Sequence, residues 1–203
     1  MTNTYLQVSN IGDISEVHYT LGLIVLKRIR RWLSPESVDL SYVDPRFLRK
    51  TYKDADWSGQ DLNHFVPVGC RFESCSFENT NLLDVCFGGG REDSIYINCS
   101  FDRATIQATA AGNAHFSSCT FRNVDILEFF SFCVEMVDCE VSGIVRAAFF
   151  NGTVPEDRAQ ALQRTRNLFE RNDFANARLV DVAFRTGIDL TLQKLPLGWK
   201  NEA

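Results

Sequence analysis

The chain has 203 residues, 45% hydrophobic and 23% charged, which are values of a folded domain and exclude wholesale disorder and fibrous classes. A net charge of −5 excludes a generally basic nucleic-acid binder. No unbroken apolar run approaches the ~18–20 residues that span a bilayer, and the start Met1-Thr2-Asn3-Thr4-Tyr5-Leu6 lacks the basic and apolar regions of a signal peptide.

Residues 1–44 carry no repeat. Leu21, Val25, Ile29 and Trp32 form an apolar helical face opposite Lys27, Arg30 and Arg31, while Val17, Tyr19, Leu21 and Leu23 alternate as a strand would. The expectation is an N-terminal cap, helix and/or strand. Membrane contact through the basic helix is the less favoured alternative.

From residue 45 a period of five sets in, and 16 phenylalanines supply much of it. Every fifth residue reads Phe47, Tyr52, Trp57, Leu62, Pro67, Phe72, Phe77, Leu82 and Phe87. Two places earlier, from Cys70 on, stand the small residues Cys70, Cys75, Thr80 and Val85. A second block, one residue out of phase, runs Phe101, Ile106, Ala111, Phe116, Phe121, Ile126, Ser131, Met136 and Val141, with Cys99, Ala104, Thr109, Ala114, Cys119, Val124, Phe129, Val134 and Cys139 two places before. A helix repeats at 3.6 and a strand at 2.0, so neither gives five. A chain turning a corner every five residues does, with one bulky and one small side chain per side pointing inward. Four sides close a coil of about twenty residues, and coils stack at the ~4.8 Å strand spacing.

Between the blocks lies Gly88-Gly89-Gly90-Arg91-Glu92-Asp93, where the phase shifts. It lacks the Gly-Lys-Ser/Thr and helix of a phosphate-binding loop and is expected to bulge out over 88–95, with Arg91, Glu92 and Asp93 as candidate partner contacts. In Glu128-Phe129-Phe130-Ser131-Phe132, an inward Ser131 would turn Phe130 and Phe132 outward, which makes them, with Glu128, candidate partner-binding residues. The alternative is a local register slip that buries one ring. Past residue 150 the period breaks. Thr153 and Glu156 have capping-box spacing, Pro155 sits in a first turn, and Leu162, Thr165 and Phe169 share a side, so a helix is expected over 155–171. Its role would be an inserted or capping element, or a homodimer surface. Phe174, Leu179 and Phe184 then resume a final coil over 172–190 or pack on that helix.

Cys70-Arg71-Phe72-Glu73-Ser74, Cys75-Ser76-Phe77-Glu78-Asn79, Thr80-Asn81-Leu82, Cys99-Ser100-Phe101-Asp102-Arg103 and Cys119-Thr120-Phe121-Arg122-Asn123 repeat one motif: small, polar, Leu or Phe, two polar. The chain in this respect resembles the pentapeptide-repeat family over roughly residues 45–150 and 172–190. The resemblance implies a mainly β fold, a right-handed quadrilateral β-helix. Pro67, Ala111 and Ser131 depart from the motif at the bulky position, and Phe65 and Phe129 at the small one.

Five of seven cysteines (Cys70, Cys75, Cys99, Cys119 and Cys139) fall on the small inward position, where a thiol packs as a compact hydrophobe. No C-x2-C pair exists, so no metal or cofactor is expected, and reduced thiols favour the cytosol. His18, His64 and His115 are scattered, and no nucleophile elbow, zinc-protease motif or paired carboxylates stand out, so no enzyme is expected.

The leading expectation is therefore a non-enzymatic protein-binding scaffold in the cytoplasm with an unidentified protein partner and no direct nucleic-acid contact. The resemblance supplies an alternative. Some pentapeptide-repeat proteins imitate B-form DNA, bind DNA gyrase and other type II topoisomerases, and protect them from inhibitors. Residues 47–150 hold eight basic and fourteen acidic groups, net −6, against 0 for residues 1–46 and +1 for 151–203. Five coils rise roughly 25 Å, and duplex DNA of that length carries about fifteen charges, so −6 falls short. Within 47–87 and within 101–149 no carboxylate has another twenty residues away; Asp102 faces Arg122 and Glu135 faces His115.

Overall fold

The structure is a computed structural model that describes residues 43–201. The expected N-terminal cap over 1–44, with its membrane-facing alternative, lies outside the described residues apart from Val43 and Asp44. In chain order the elements are β1 (Thr51–Lys53), β2 (Arg71–Glu73), β3 (Asn81–Leu82), β4 (Ser94–Ile97), β5 (Thr105–Gln107), β6 (Asn113–Ser117), β7 (Thr120–Leu127), β8 (Phe130–Ser131), β9 (Cys133–Val137), β10 (Glu140–Asn151), α1 (Glu156–Leu162), β11 (Phe169–Glu170) and β12 (Ala177–Arg185). They form a mainly β solenoid of about five turns. One side is the sheet β1-β2-β4-β6-β9-β11, another is β12-β10-β7-β5-β3, and every pair of strands is parallel.

The five-residue period is made at the corners. Arg49, Asp54, Gly59, His64, Gly69, Ser74, Asn79 and Asp84 all turn through the left-handed region, with φ from 49° to 71°. L-residues avoid this region, Asn, Asp and Gly least, which is why those types recur two places after each bulky residue. Register then follows by counting. Thr51 lies on Arg71, Ser94 on Ala114 and Asn113 on Cys133, each twenty residues on.

The interior is built of stacked rings. Along one column Tyr52, Phe72, Tyr96 and Phe116 lie with centroids 5.4, 4.8 and 4.7 Å apart and planes within 16°. Along the next, Trp57, Phe77, Phe101 and Phe121 are spaced at 5.0, 4.8 and 4.8 Å. Strand spacing sets this distance, and edge contacts between the two columns, such as Phe101 to Phe116 at 5.8 Å and 78°, complete the packing. Phe72, Phe77, Leu82, Phe101 and Phe121 belong to one buried core. The void between Phe116, Ile126, Met136 and Phe150 is about 20 Å³, apolar, and room for little more than one water.

The departures from the motif are compensated within their own coils. Phe65 and Phe129, at the small position, are buried beside a buried Pro67 and Ser131 at the bulky one, so the ring has simply moved two residues back along the same side. Phe87 then reaches Phe129 across the Ala111 coil, with centroids 6.1 Å apart. The last coil before the break shifts by one residue at a bulge between Val141 and Gly143. Gly143 has φ +97°, and a Cβ there would come within 2.3 Å of the Val124 carbonyl oxygen. Val145 and Phe150 consequently turn inward and Phe149 outward.

The helix expected over 155–171 is shorter. α1 ends at Leu162, with Gln163 left-handed at φ 52°. The cause is competition: Phe169 is taken by the column, where it lies on Met136 in β11, so the chain must be extended again by then. Nor does a capping box form, since the helix starts from Pro155 without a side-chain cap. Phe174 and Phe184 are buried in a final coil, and Trp199 closes on Phe184 at 5.4 Å while Asn201 bonds both its N–H and its C=O.

All seven cysteines are reduced and buried. Cys99, Cys119 and Cys139 donate to the carbonyls of Phe72, Tyr96 and Phe116 in the preceding coil, at 3.5, 3.4 and 3.6 Å, so the thiol ladder ties coil to coil. Among the described residues no group of three or more His, Cys, Asp or Glu could hold a metal ion, and no helix is long and apolar enough to cross a membrane.

Candidate functional site

With the column filled, chemistry is left to the outer faces. The bulge at Gly143 sets the candidate surface by turning Phe149 of β10 outward beside Phe130 of β8, its register partner. The two rings stack at 5.1 Å and 9°, and Phe132 meets Phe149 edge-on at 4.8 Å. Phe130 and Phe132 are half-buried and each packs on Phe149, which they cover down to 9% exposure, so the two outer rings are the accessible ones. The Arg185 guanidinium caps the cluster 4.2 Å from the Phe149 centroid, and it makes no ion pair with a carboxylate among the described residues. Three rings and a cation on a rigid strand scaffold form a surface that loses little side-chain freedom on binding.

Phe130 and Phe132, expected to face out, are thus brought together around Phe149. Glu128 lies at the neighbouring left-handed corner and accepts from Gln107 Nε2 at 2.6 Å, so it is tied to the coil before. The loop residues do not join this cluster. Arg91 is exposed, Glu92 is held by Arg49 at 2.8 Å, and Asp93 is bonded by Arg164. Gly88 to Gly90 are buried rather than bulged out, because a Cβ on Gly88 would lie 1.6 Å from the Asn113 carbonyl oxygen.

What covers the glycines is the other interruption of the repeat. Arg158 of α1, 2% exposed, donates to Gly90 O at 2.9 Å and Asn113 Oδ1 at 3.3 Å. Arg164 reaches Cys133 O at 2.9 Å and stands 3.6 Å from Glu135. Asn167 donates to Phe132 O and Asn151 O at 2.9 and 2.8 Å. Glu135 also pairs with His115 at 3.1 Å and accepts the Leu168 N–H at 2.9 Å. Burial raises the Glu135 pKa, but these hydrogen bonds and the Arg164 charge outweigh burial and hold the carboxyl below its usual value.

Phe149 and Arg185 were not anticipated from sequence. The consecutive pair Phe149-Phe150 was the available signal, since two adjacent rings in a strand cannot both point inward.

No protein-family model matches the chain, and no curated protein matches it. A solved structure of QnrB1, a plasmid-mediated fluoroquinolone resistance protein, is 16% identical, with 73% of this chain and 68% of that chain covered and a TM-score of 0.34. A likeness of that size carries no argument about function.

Proposed function

We propose that the chain is a non-enzymatic protein-binding scaffold whose partner docks on the seam formed by Phe130, Phe149 and Phe132 under Arg185. The observation that carries this reading is the stacked Phe130–Phe149 pair left outside a column that already has all the aromatic packing it needs. Phenylalanine rings and arginine are among the residue types enriched at the core of protein interfaces. The test is capture of a partner by the purified protein. Wild type and Asp61→Lys, which alters a distant outer face, should retain the same partner, whereas Phe130→Asp should weaken it by at least about tenfold, the usual scale of an interface anchor. Equal capture by all three proteins would remove the seam from the reading.

The topoisomerase-directed DNA mimic has less support. Of the fourteen carboxylates between 47 and 150, Glu73, Glu78, Glu92, Asp93, Asp102, Asp125, Glu135, Asp138 and Glu140 pair with arginines. The expected pairing of Asp102 with Arg122 is present: the Arg122 guanidinium stands 3.7 Å from Asp102 Oδ2, and the Arg122 backbone N–H donates to Asp102 Oδ1 at 2.9 Å. Where Glu140 lies over Asp173, Arg122 and Lys194 flank the pair at 2.6 and 2.9 Å. A phosphate-like stripe needs free charge, and pairing removes it. A gyrase supercoiling reaction with and without a quinolone decides the matter; inhibition or protection at micromolar protein would restore this alternative.

A further inference from the structure

Five of the seven cysteines belong to the interior column, and Cys86 and Cys133 do not. Cys133 shares the outer row of β9 with Glu135, alternating with the inward Val134 and Met136. Cys86 stands between the inward Val85 and Phe87. Two outward thiols on a solenoid should be exposed, yet they are 3% and 1% exposed. The segment 153–167 lies across that corner, with the charge of Arg158 acting on both sulfurs, while the Gly112 backbone packs on Cys86 from the next coil, where a Cβ would come within 2.4 Å of its sulfur.

That cover is held differently from the rest of the molecule. Between residues 153 and 167 the buried residues are Val154, Arg158 and Asn167, a single apolar side chain among them. Its anchors are polar: hydrogen bonds to the carbonyls of Gly90, Phe132 and Cys133, and ion pairs from Arg164 to Asp93 and Glu135. The coils beneath are held by continuous ring stacking and strand pairing. A segment with little apolar burial and a polar seat opens as a local unit well before the solenoid unfolds.

We infer that Cys86 and Cys133 form a covered modification site for small thiol-directed molecules, opened by local release of residues 153–167. Under the cover, burial pushes both thiols up to about 11, so they are inert while it is closed. Released into water, each regains an ordinary thiol's acidity. With a small-molecule disulfide as co-reactant, the cysteine thiolate attacks one sulfur, a new S–S bond forms to the protein and the old S–S bond breaks. The departing thiolate takes up the proton that the cysteine lost. The adduct holds the cover off and alters the corner next to Phe132, whose carbonyl Asn167 otherwise occupies.

The experiment is native-state labelling with N-ethylmaleimide, followed by intact mass and peptide mapping. Two adducts should form first, at Cys86 and Cys133, at least about tenfold ahead of the five column thiols. Asn167→Ala should speed those two alone and leave the urea midpoint of the solenoid where it was. Labelling of Cys86 and Cys133 no faster than Cys99 or Cys119, or of all seven together at the rate of global unfolding, would overturn the inference. Partner capture is not read in this experiment, so its failure is separate from failure of the seam.

Discussion

Ala147 shows what the corners ask of single residues. It turns at φ 49°, left-handed, without a side chain that could hydrogen-bond locally to ease it. An L-residue there costs about 1–2 kcal/mol, while the extra freedom of glycine in the unfolded chain costs about 0.5–1 kcal/mol. The first effect is the larger, so Ala147→Gly should stabilise by about 0.5–1 kcal/mol, read as a rise in urea midpoint at unchanged slope. A loss of stability would mean that this corner is not strained. The same preference stands in the sequence at Asp54, Asn79 and Asp84, but an apolar period of five points to the inward positions and says nothing of the polar ones that do the turning.

Among elements, the sharpest contrast is between coils that stack and a segment that clips on. The stacking of β6 on β9 is fixed by the period and was legible from Phe116 and Met136. The docking of the insertion was not, because it depends on contacts between the two places where the period fails: Arg158 with Gly90 and Arg164 with Asp93 lie 68 and 71 residues apart. No local pattern joins them. For the same reason apolar spacing alone extends the helix to residue 171, since it cannot tell that Phe169 is claimed by the column. Glu135 is where this clip meets pH. Its carboxyl titrates below the usual 4.5 in the folded state, so its contribution is fully present above that value and lost as pH falls through the lower folded value. Thermal midpoints measured from pH 6 to pH 3 should fall less steeply for Glu135→Gln than for wild type. Parallel curves would show that the network with His115 and Arg164 does not favour the ionised form.

For the whole molecule, the sequence was most informative where the structure is one-dimensional. Each coil stacks chiefly on the next, so one period repeated in register specifies the column, and its irregularities at Phe65 and Phe129 are repaired within a coil. The surface is not specified that way. A one-residue bulge at Gly143 moved Phe149 from an unremarked place in the sequence to the centre of the candidate seam. Inside and outside therefore make opposite demands on phenylalanine. Phe101 is wholly buried between Phe77 and Phe121, each 4.8 Å away, so Phe101→Ala should cost about 3–5 kcal/mol. Phe130 is half-buried outside the column and stacks on Phe149, so Phe130→Asp should cost no more than about 1.5 kcal/mol, the loss of one aromatic pair.

The most direct test is equilibrium urea unfolding of these two variants beside wild type. A large fall in midpoint for Phe101→Ala with a small one for Phe130→Asp is the predicted result. Comparable losses, or the larger loss at Phe130, would contradict the division between a filled column and an outer binding face.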